Sequence, residues 1–192
     1  MKKNIITISG FPGSGKSSTA KGLASALGYE HFSSGDLFRK MAAERGLSVE
    51  GINLAAEKSK EIDYAVDDLL QKMGREKNNI VVDSRTAFHW ISNSFRVFLD
   101  LDPRTSAERT FSQIKNEGRS SQAASSVEEV LENTLKRVES ERKRYRDLYQ
   151  IDYMDKHNFD LVVDTKKNNL EQVIEIVKSE YEKWLKENEP AI

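Results

Sequence analysis

Gly10-Phe11-Pro12-Gly13-Ser14-Gly15-Lys16-Ser17 fits the pattern G-x-x-x-x-G-K-[ST] at every fixed position. A β-branched run, Ile5-Ile6-Thr7-Ile8, precedes it, and a helical pattern over Ser18 to Leu27 follows. Glycines let the backbone turn so that successive N–H groups converge on phosphate oxygens. The helix N-terminus adds the positive end of its dipole. Lys16 supplies a mobile cation for β- and γ-phosphates, and the Ser17 hydroxyl suits magnesium. Strand, loop and helix together imply a nucleoside triphosphate ligand. Gly10, Pro12, Gly13, Ser14, Gly15, Lys16, Ser17 and Ser18 are its expected contacts.

Outward from this loop, short apolar runs alternate with longer helical periodicities. That alternation predicts an α/β fold with a parallel sheet covered by helices. The candidate strands are Ile5–Ile8, Tyr29–Phe32, Ile80–Val82, Arg96–Leu101 and Asp160–Val163, and their apolar runs suit strands buried on both faces. Helical patterns cover about 16–27, 36–45, 52–75, 127–149 and 169–187. In the fourth, Val127, Leu131, Val138, Tyr145 and Tyr149 form one apolar face, with Arg137, Glu141 and Arg144 on a neighbouring stripe. The small, polar stretch Asn116–Ser126 reads as a loop.

The 192 residues suffice for one domain with its own core. Lysine and arginine (30) balance aspartate and glutamate (31), so no global basic field points to nucleic acid. Cysteine is absent, which excludes disulfides, thiolate metal sites and cysteine nucleophiles. No apolar run approaches the ~20 residues of a membrane span. The basic, then apolar start Met1–Ile8 reaches Ser9-Gly10 too soon for a signal-peptide core. A cytoplasmic protein is expected, with monomer the favoured state. His31, His89 and His157 lack metal-ligand spacing.

Two further segments extend the site. Ser33-Ser34-Gly35-Asp36-Leu37-Phe38-Arg39 starts where the second strand ends, the side on which open α/β sheets bind ligands. Ser34 or Asp36 could cap the next helix, and Arg39 in its first turn opposes the dipole unless an anion balances it or solvent does. Ile80-Val81-Val82-Asp83-Ser84-Arg85 delivers Asp83 and Arg85 to the same end of the sheet. These two can organise magnesium and grip phosphate, or pair with each other. In the pattern around Ile62, Val66, Leu69 and Met73, Asp63 and Asp67 flank a core face; solvent is their expected neighbour, the acceptor's base or sugar the alternative.

In order and spacing these segments resemble the nucleoside monophosphate kinases, and most of all the short, archaeal-type cytidylate kinases. The resemblance continues through Glu139-Ser140-Glu141-Arg142-Lys143-Arg144-Tyr145 and ends in Phe159–Thr165, spanning nearly the whole chain. It implies a P-loop NTPase three-layer fold on a five-stranded parallel sheet, as a single domain over 1–192. Acceptor-binding helices would occupy 36–75, and a lid with its supporting helices about 109–149. It implies ATP and magnesium as cofactors, with transfer of the γ-phosphoryl group to CMP or dCMP. By that resemblance Lys16, Arg85 and Arg144 are catalytic, and Ser34, Asp36, Arg39, Asp83 and Arg85 surround the acceptor. Thr165 lies beside the ATP base; Ser17 and Asp83 serve the metal. Arg109, Arg119 and Arg137 are further lid candidates.

Two departures stand out: Ser84 replaces the family's glycine, and Thr86-Ala87-Phe88-His89-Trp90 replaces small residues. Other acceptors (AMP, UMP or a non-nucleotide) remain open, as does a nucleotide-dependent switch. The sequence at Ser17 and Asp83-Ser84-Arg85 departs from adenylate kinases, and a switch has no need of Arg39, Arg85 and Arg144.

Overall fold

Strand β1 (Ile5–Gly10) is buried along its full length and lies at the centre of a five-stranded sheet. The computed structural model describes residues 3–116 and 124–188, apart from the side chains of residues 49 and 50. The other strands are β2 (Glu30–Ser33), β3 (Ile80–Asp83), β4 (Phe95–Asp100) and β5 (Leu161–Asp164). Every pairing is parallel, in the order β2-β3-β1-β4-β5. The chain leaves β1 between β3 and β4, so the loop after Gly10 opens at the point where strand order diverges.

Alternation along β1 explains the three layers. Ile6 and Ile8 face a core completed by Leu23 of α1 (Lys16–Leu27) and by Val173, Val177 and Tyr181 of α8 (Leu170–Glu187). Ile5 faces the other way, with Ile80 and Val82, onto Val66 and Leu70 of α4 (Glu61–Glu76). Each such fully buried aliphatic side chain contributes about 1.5–3 kcal/mol by leaving water. That accounts for the continuous apolar runs of the strands. The remaining helices are α2 (Ser34–Glu44), α3 (Val49–Lys58), the short α5 (Ala87–Trp90), α6 (Pro103–Asn116) and α7 (Val127–Tyr149).

Three expectations are corrected. The single pattern over 52–75 is two helices, because Ser59 is extended (φ −137°, ψ 124°) and ends α3. On α4 the buried apolar residue is Leu70, not Leu69, and Asp63 and Asp67 lie on the buried face instead of in solvent. On α7 the buried residues are Val130, Val138, Glu141, Arg144 and Tyr145, so the charged stripe itself points inward. Helix α6 had no counterpart in the sequence pattern. Its buried residues are Ser106 and Ala107, too small and polar to mark an apolar face. Arg119 lies outside the described residues.

Candidate active site

The loop after β1 is built by backbone demands that only glycine meets. Gly10 has φ 144°, and a Cβ there would stand 2.3 Å from the Leu99 carbonyl oxygen of the adjacent strand. Gly13 has φ 73°, and its Cβ would meet Ser106 Oγ at 2.6 Å. That same hydroxyl donates to the Pro12 carbonyl at 2.6 Å, so α6 clamps the loop from outside. Gly15 (φ 87°) precedes the first residue of α1. Ser14 is buried and its Oγ has no hydrogen-bond partner among the described residues, whereas Ser18 is exposed on the first turn of α1.

Lys16 Nζ donates to the Gly10 and Phe11 carbonyls at 2.9 and 2.8 Å, curling over its own loop. Its pKa falls to about 7, first because burial disfavours the cation and second because Arg85 repels it. Asp83 and Glu141 oppose that fall. Ser17 Oγ donates to Asp83 Oδ2 at 2.5 Å, and Ser33 Oγ reaches the same oxygen at 3.3 Å. Ser33, and neither Ser34 nor Asp36, caps α2, accepting from the Asp36 N–H at 3.3 Å. Ser34 Oγ instead donates to the Asp83 carbonyl at 3.3 Å, tying the start of α2 to the end of β3.

Beside the P-loop lies a cleft between α2, α4, the end of β3 and α7. Its enclosed volume is about 60 Å³, and its mouth opens to solvent. Its cations are held by two buried carboxylates. Arg85 Nε pairs with Glu141 Oε2 at 2.6 Å, and Arg137 Nε donates to Glu141 Oε1 at 2.9 Å. Tyr153 OH also donates to Glu141, at Oε2 and 3.1 Å. Burial alone would raise the Glu141 pKa, but Arg85 and Arg137 outweigh it and hold the group below the usual range. Burial likewise opposes the charge on Arg85, and Glu141 more than restores it.

Arg144 Nε pairs with Asp63 Oδ2 at 2.9 Å, with both side chains buried. Among the described residues neither Arg144 Nη1 nor Nη2 has an aligned hydrogen-bond acceptor. Burial raises the Asp63 pKa to about 6, against the pull of Arg144. The chain thus holds a buried guanidinium fork toward the cleft, a costly arrangement unless an anion meets it.

The remaining expected residues are more dispersed. Arg39 lines the cleft mouth, half-exposed and ion-paired to Asp36 within α2. Thr165 is buried beyond the other flank of the P-loop, its Oγ1 donating to the Asp100 carbonyl at 3.1 Å. Arg109 is tied to the Thr165 carbonyl at 2.7 Å. Sequence reasoning passed over the central place of Glu141, although its spacing from Arg137 and Arg144 was the available signal. It also missed Tyr153 and the pairing of Asp67 with Trp90 and Tyr149. Those contacts join residues far apart in the chain.

A family model described as an AAA domain matches residues 9–155. A cytidylate kinase of Methanothrix thermoacetophila is 40% identical over 161 residues, 84% of this chain and 88% of its own length. The cytidylate kinase of Pyrococcus abyssi is 38% identical over 176 residues, 91% of this chain and 92% of its own. The chain belongs to the cytidylate kinase family. Its fold is that of P-loop kinases: a shikimate kinase from Bacteroides thetaiotaomicron superposes with a TM-score of 0.63, covering 93% of this chain and 98% of its own. At 14% identity that likeness carries the fold alone. The cleft beside Lys16 is where this chain gathers Arg85, Arg137, Glu141 and Arg144.

Proposed function

We propose that this protein transfers the γ-phosphoryl group of ATP to CMP or dCMP, giving ADP and the diphosphate. The observation that supports it most is the cluster of Arg85, Arg137 and Arg144 in a cleft adjoining Lys16. One triphosphate is served by the loop and its lysine, and the additional cations fit a second phosphate. The 35–40% identity to archaeal cytidylate kinases supports a cytidine nucleotide as its owner.

The donor fits the loop. Lys16 rests on carbonyls it can exchange for phosphate oxygens, at the N-terminus of α1. Ser17 and Asp83 fit magnesium, because a hydroxyl and a carboxylate in contact are the hard oxygen donors that ion takes. When bound, magnesium neutralises charge on the transferred and leaving phosphates.

The chain's own part is alignment and charge neutralisation, since phosphoryl transfer asks little covalent help from protein. Arg85 and Arg144 hold the acceptor phosphate against its repulsion from the donor. Glu141 and Asp63 balance their charges. Lys16 follows the γ-phosphoryl group, where negative charge spreads in the transition state. The acceptor oxygen is already an anion, so no side chain has to take its proton.

An acceptor panel with Mg-ATP tests this reading. ADP formation is expected to rise strongly with CMP and dCMP, less with UMP, and weakly with AMP or GMP. Chelation of magnesium should abolish it. A preference for AMP would overturn the cytidylate assignment, and indifference to every nucleoside monophosphate would overturn the reaction.

A further inference from the structure

The polar groups of the acceptor cleft follow one another in a definite order. Lys16 feels Arg85, Asp83, Glu141 and Arg137. Asp63, further along, lies among Arg144, Asp67 and Glu141. Asp67, one turn beyond on α4, has Tyr149, Trp90 and Thr86 as its nearest polar partners. Arg85, Arg137 and Glu141 are thus the cleft charges nearest Lys16, whereas Asp67 is joined to Trp90 and Tyr149. Phe38, Val66 and Tyr145 supply apolar walls along it.

Asp67 lines this cleft yet is only 4% exposed. Trp90 Nε1 donates to its Oδ1 at 2.8 Å, and the Tyr149 hydroxyl donates to its Oδ2. Trp90 and Tyr149 brace each other edge to face, ring centroids 5.2 Å apart. Each carboxylate oxygen is thus fixed by a neutral donor from a different helix, α5 or α7. An ionised carboxylate offers about four acceptor positions and no donor. With Thr86 as a third polar partner, one acceptor position is left, and the held donors stop the group from rotating away.

We infer that Asp67, held by Trp90 and Tyr149, is a specificity-determining residue that reads the 4-position of the acceptor's pyrimidine. This rests on the proposed cytidine nucleotide acceptor. With its phosphate at Arg85 and Arg144, the nucleotide points its base toward the Asp67 end. Cytosine carries an amino donor at the 4-position, which a carboxylate accepts. Uracil carries an oxygen there, and two acceptors then face each other beside a carboxylate that is itself buried. A site built to pair with a substrate N–H rejects an analogue lacking it by large factors.

The test is kcat/KM for CMP and for UMP, at saturating Mg-ATP, on the wild type, Asp67→Asn and Trp90→Phe. The amide can turn a donor toward the uracil oxygen. Asp67→Asn is expected to lower the CMP-to-UMP ratio tenfold or more, with the KM for ATP unchanged. Trp90→Phe keeps the carboxylate but frees it, and a smaller fall in the same ratio is expected. An unchanged ratio in folded Asp67→Asn would make Asp67 only a structural bracket and overturn the inference. Should that variant fail to fold, by circular dichroism, an unchanged ratio in Trp90→Phe overturns it instead. Wild type that uses CMP and UMP equally removes the discrimination while sparing the proposed reaction. Wild type that uses neither sinks the proposed reaction itself.

Discussion

Lys16 sits near the middle of its titration at neutral pH, with a pKa of about 7. A lysine depressed in the folded state binds fewer protons than the unfolded chain between about pH 7 and 10.5. Its contribution to stability therefore improves as pH rises through that window and is unfavourable below it. A bound triphosphate favours the cation, so binding should draw in about half a proton at pH 7 and more at pH 8. Calorimetry in buffers of different ionisation heat measures that uptake, with Lys16→Ala as the background. Equal uptake by wild type and Lys16→Ala would show that the lysine is not the group involved. The same variant should lose roughly 100-fold or more in kcat while keeping its fold, which coupled ADP release and circular dichroism will show. At this scale the sequence was most readable. The loop is contiguous, and each of its residues answers a local demand. Arg39 was less so, because its pairing with Asp36 satisfies it without any ligand.

Helix α7 carries the charges that complete the cleft, and Glu141 is the group on which they converge. Removing one partner of a buried ion pair leaves an uncompensated charge and costs about 3–5 kcal/mol. Glu141→Ala is expected to lose that much stability in urea unfolding, because Arg85 then has no counter-charge. Glu141→Gln retains one acceptor oxygen, for Tyr153 or for Arg137, and should recover part of the stability while still lowering kcat. Equal stability of wild type and Glu141→Ala would remove Glu141 from its central role. Strand β1 offers a second test. Gly10→Ala places a side chain on the Leu99 carbonyl at φ 144°, and the backbone conformation alone costs about 1–3 kcal/mol. Thermal denaturation should show a lowered Tm; an unchanged Tm would contradict the close approach of β1 and β4. The strands were legible because each is a continuous apolar run. The helices were less so. On α4 the adjacent Leu69 and Leu70 both satisfied the helical period, and the wrong choice turned Asp63 and Asp67 toward solvent. On α7 the apolar stripe was read as the buried face, whereas Glu141 and Arg144 are buried by pairing with Arg85 and Asp63. Pairing across 56 and 81 positions of chain leaves no trace in local periodicity.

Across the molecule, the sheet order brings the ends of β1 and β3 together and sets α2, α4 and α7 around them. No described helix is long and apolar enough to cross a membrane. Arg85 lines the cleft and is also felt by Lys16, so on the proposed reading a change at Arg85 is felt by the acceptor first. Arg85→Ala is expected to lower kcat/KM for CMP by about tenfold to hundredfold, with ATP binding nearly unchanged in calorimetry. A fall in ATP affinity instead would move Arg85 to the donor side. The central claim is that phosphate passes between two nucleotides within this one site. It is met most directly by giving the protein ATP radiolabelled in its γ-phosphate, together with CMP and magnesium, and separating the products. The account requires label in CDP, matched one to one with ADP formed and absent from free phosphate. Label released as inorganic phosphate, with CMP unchanged, would contradict it.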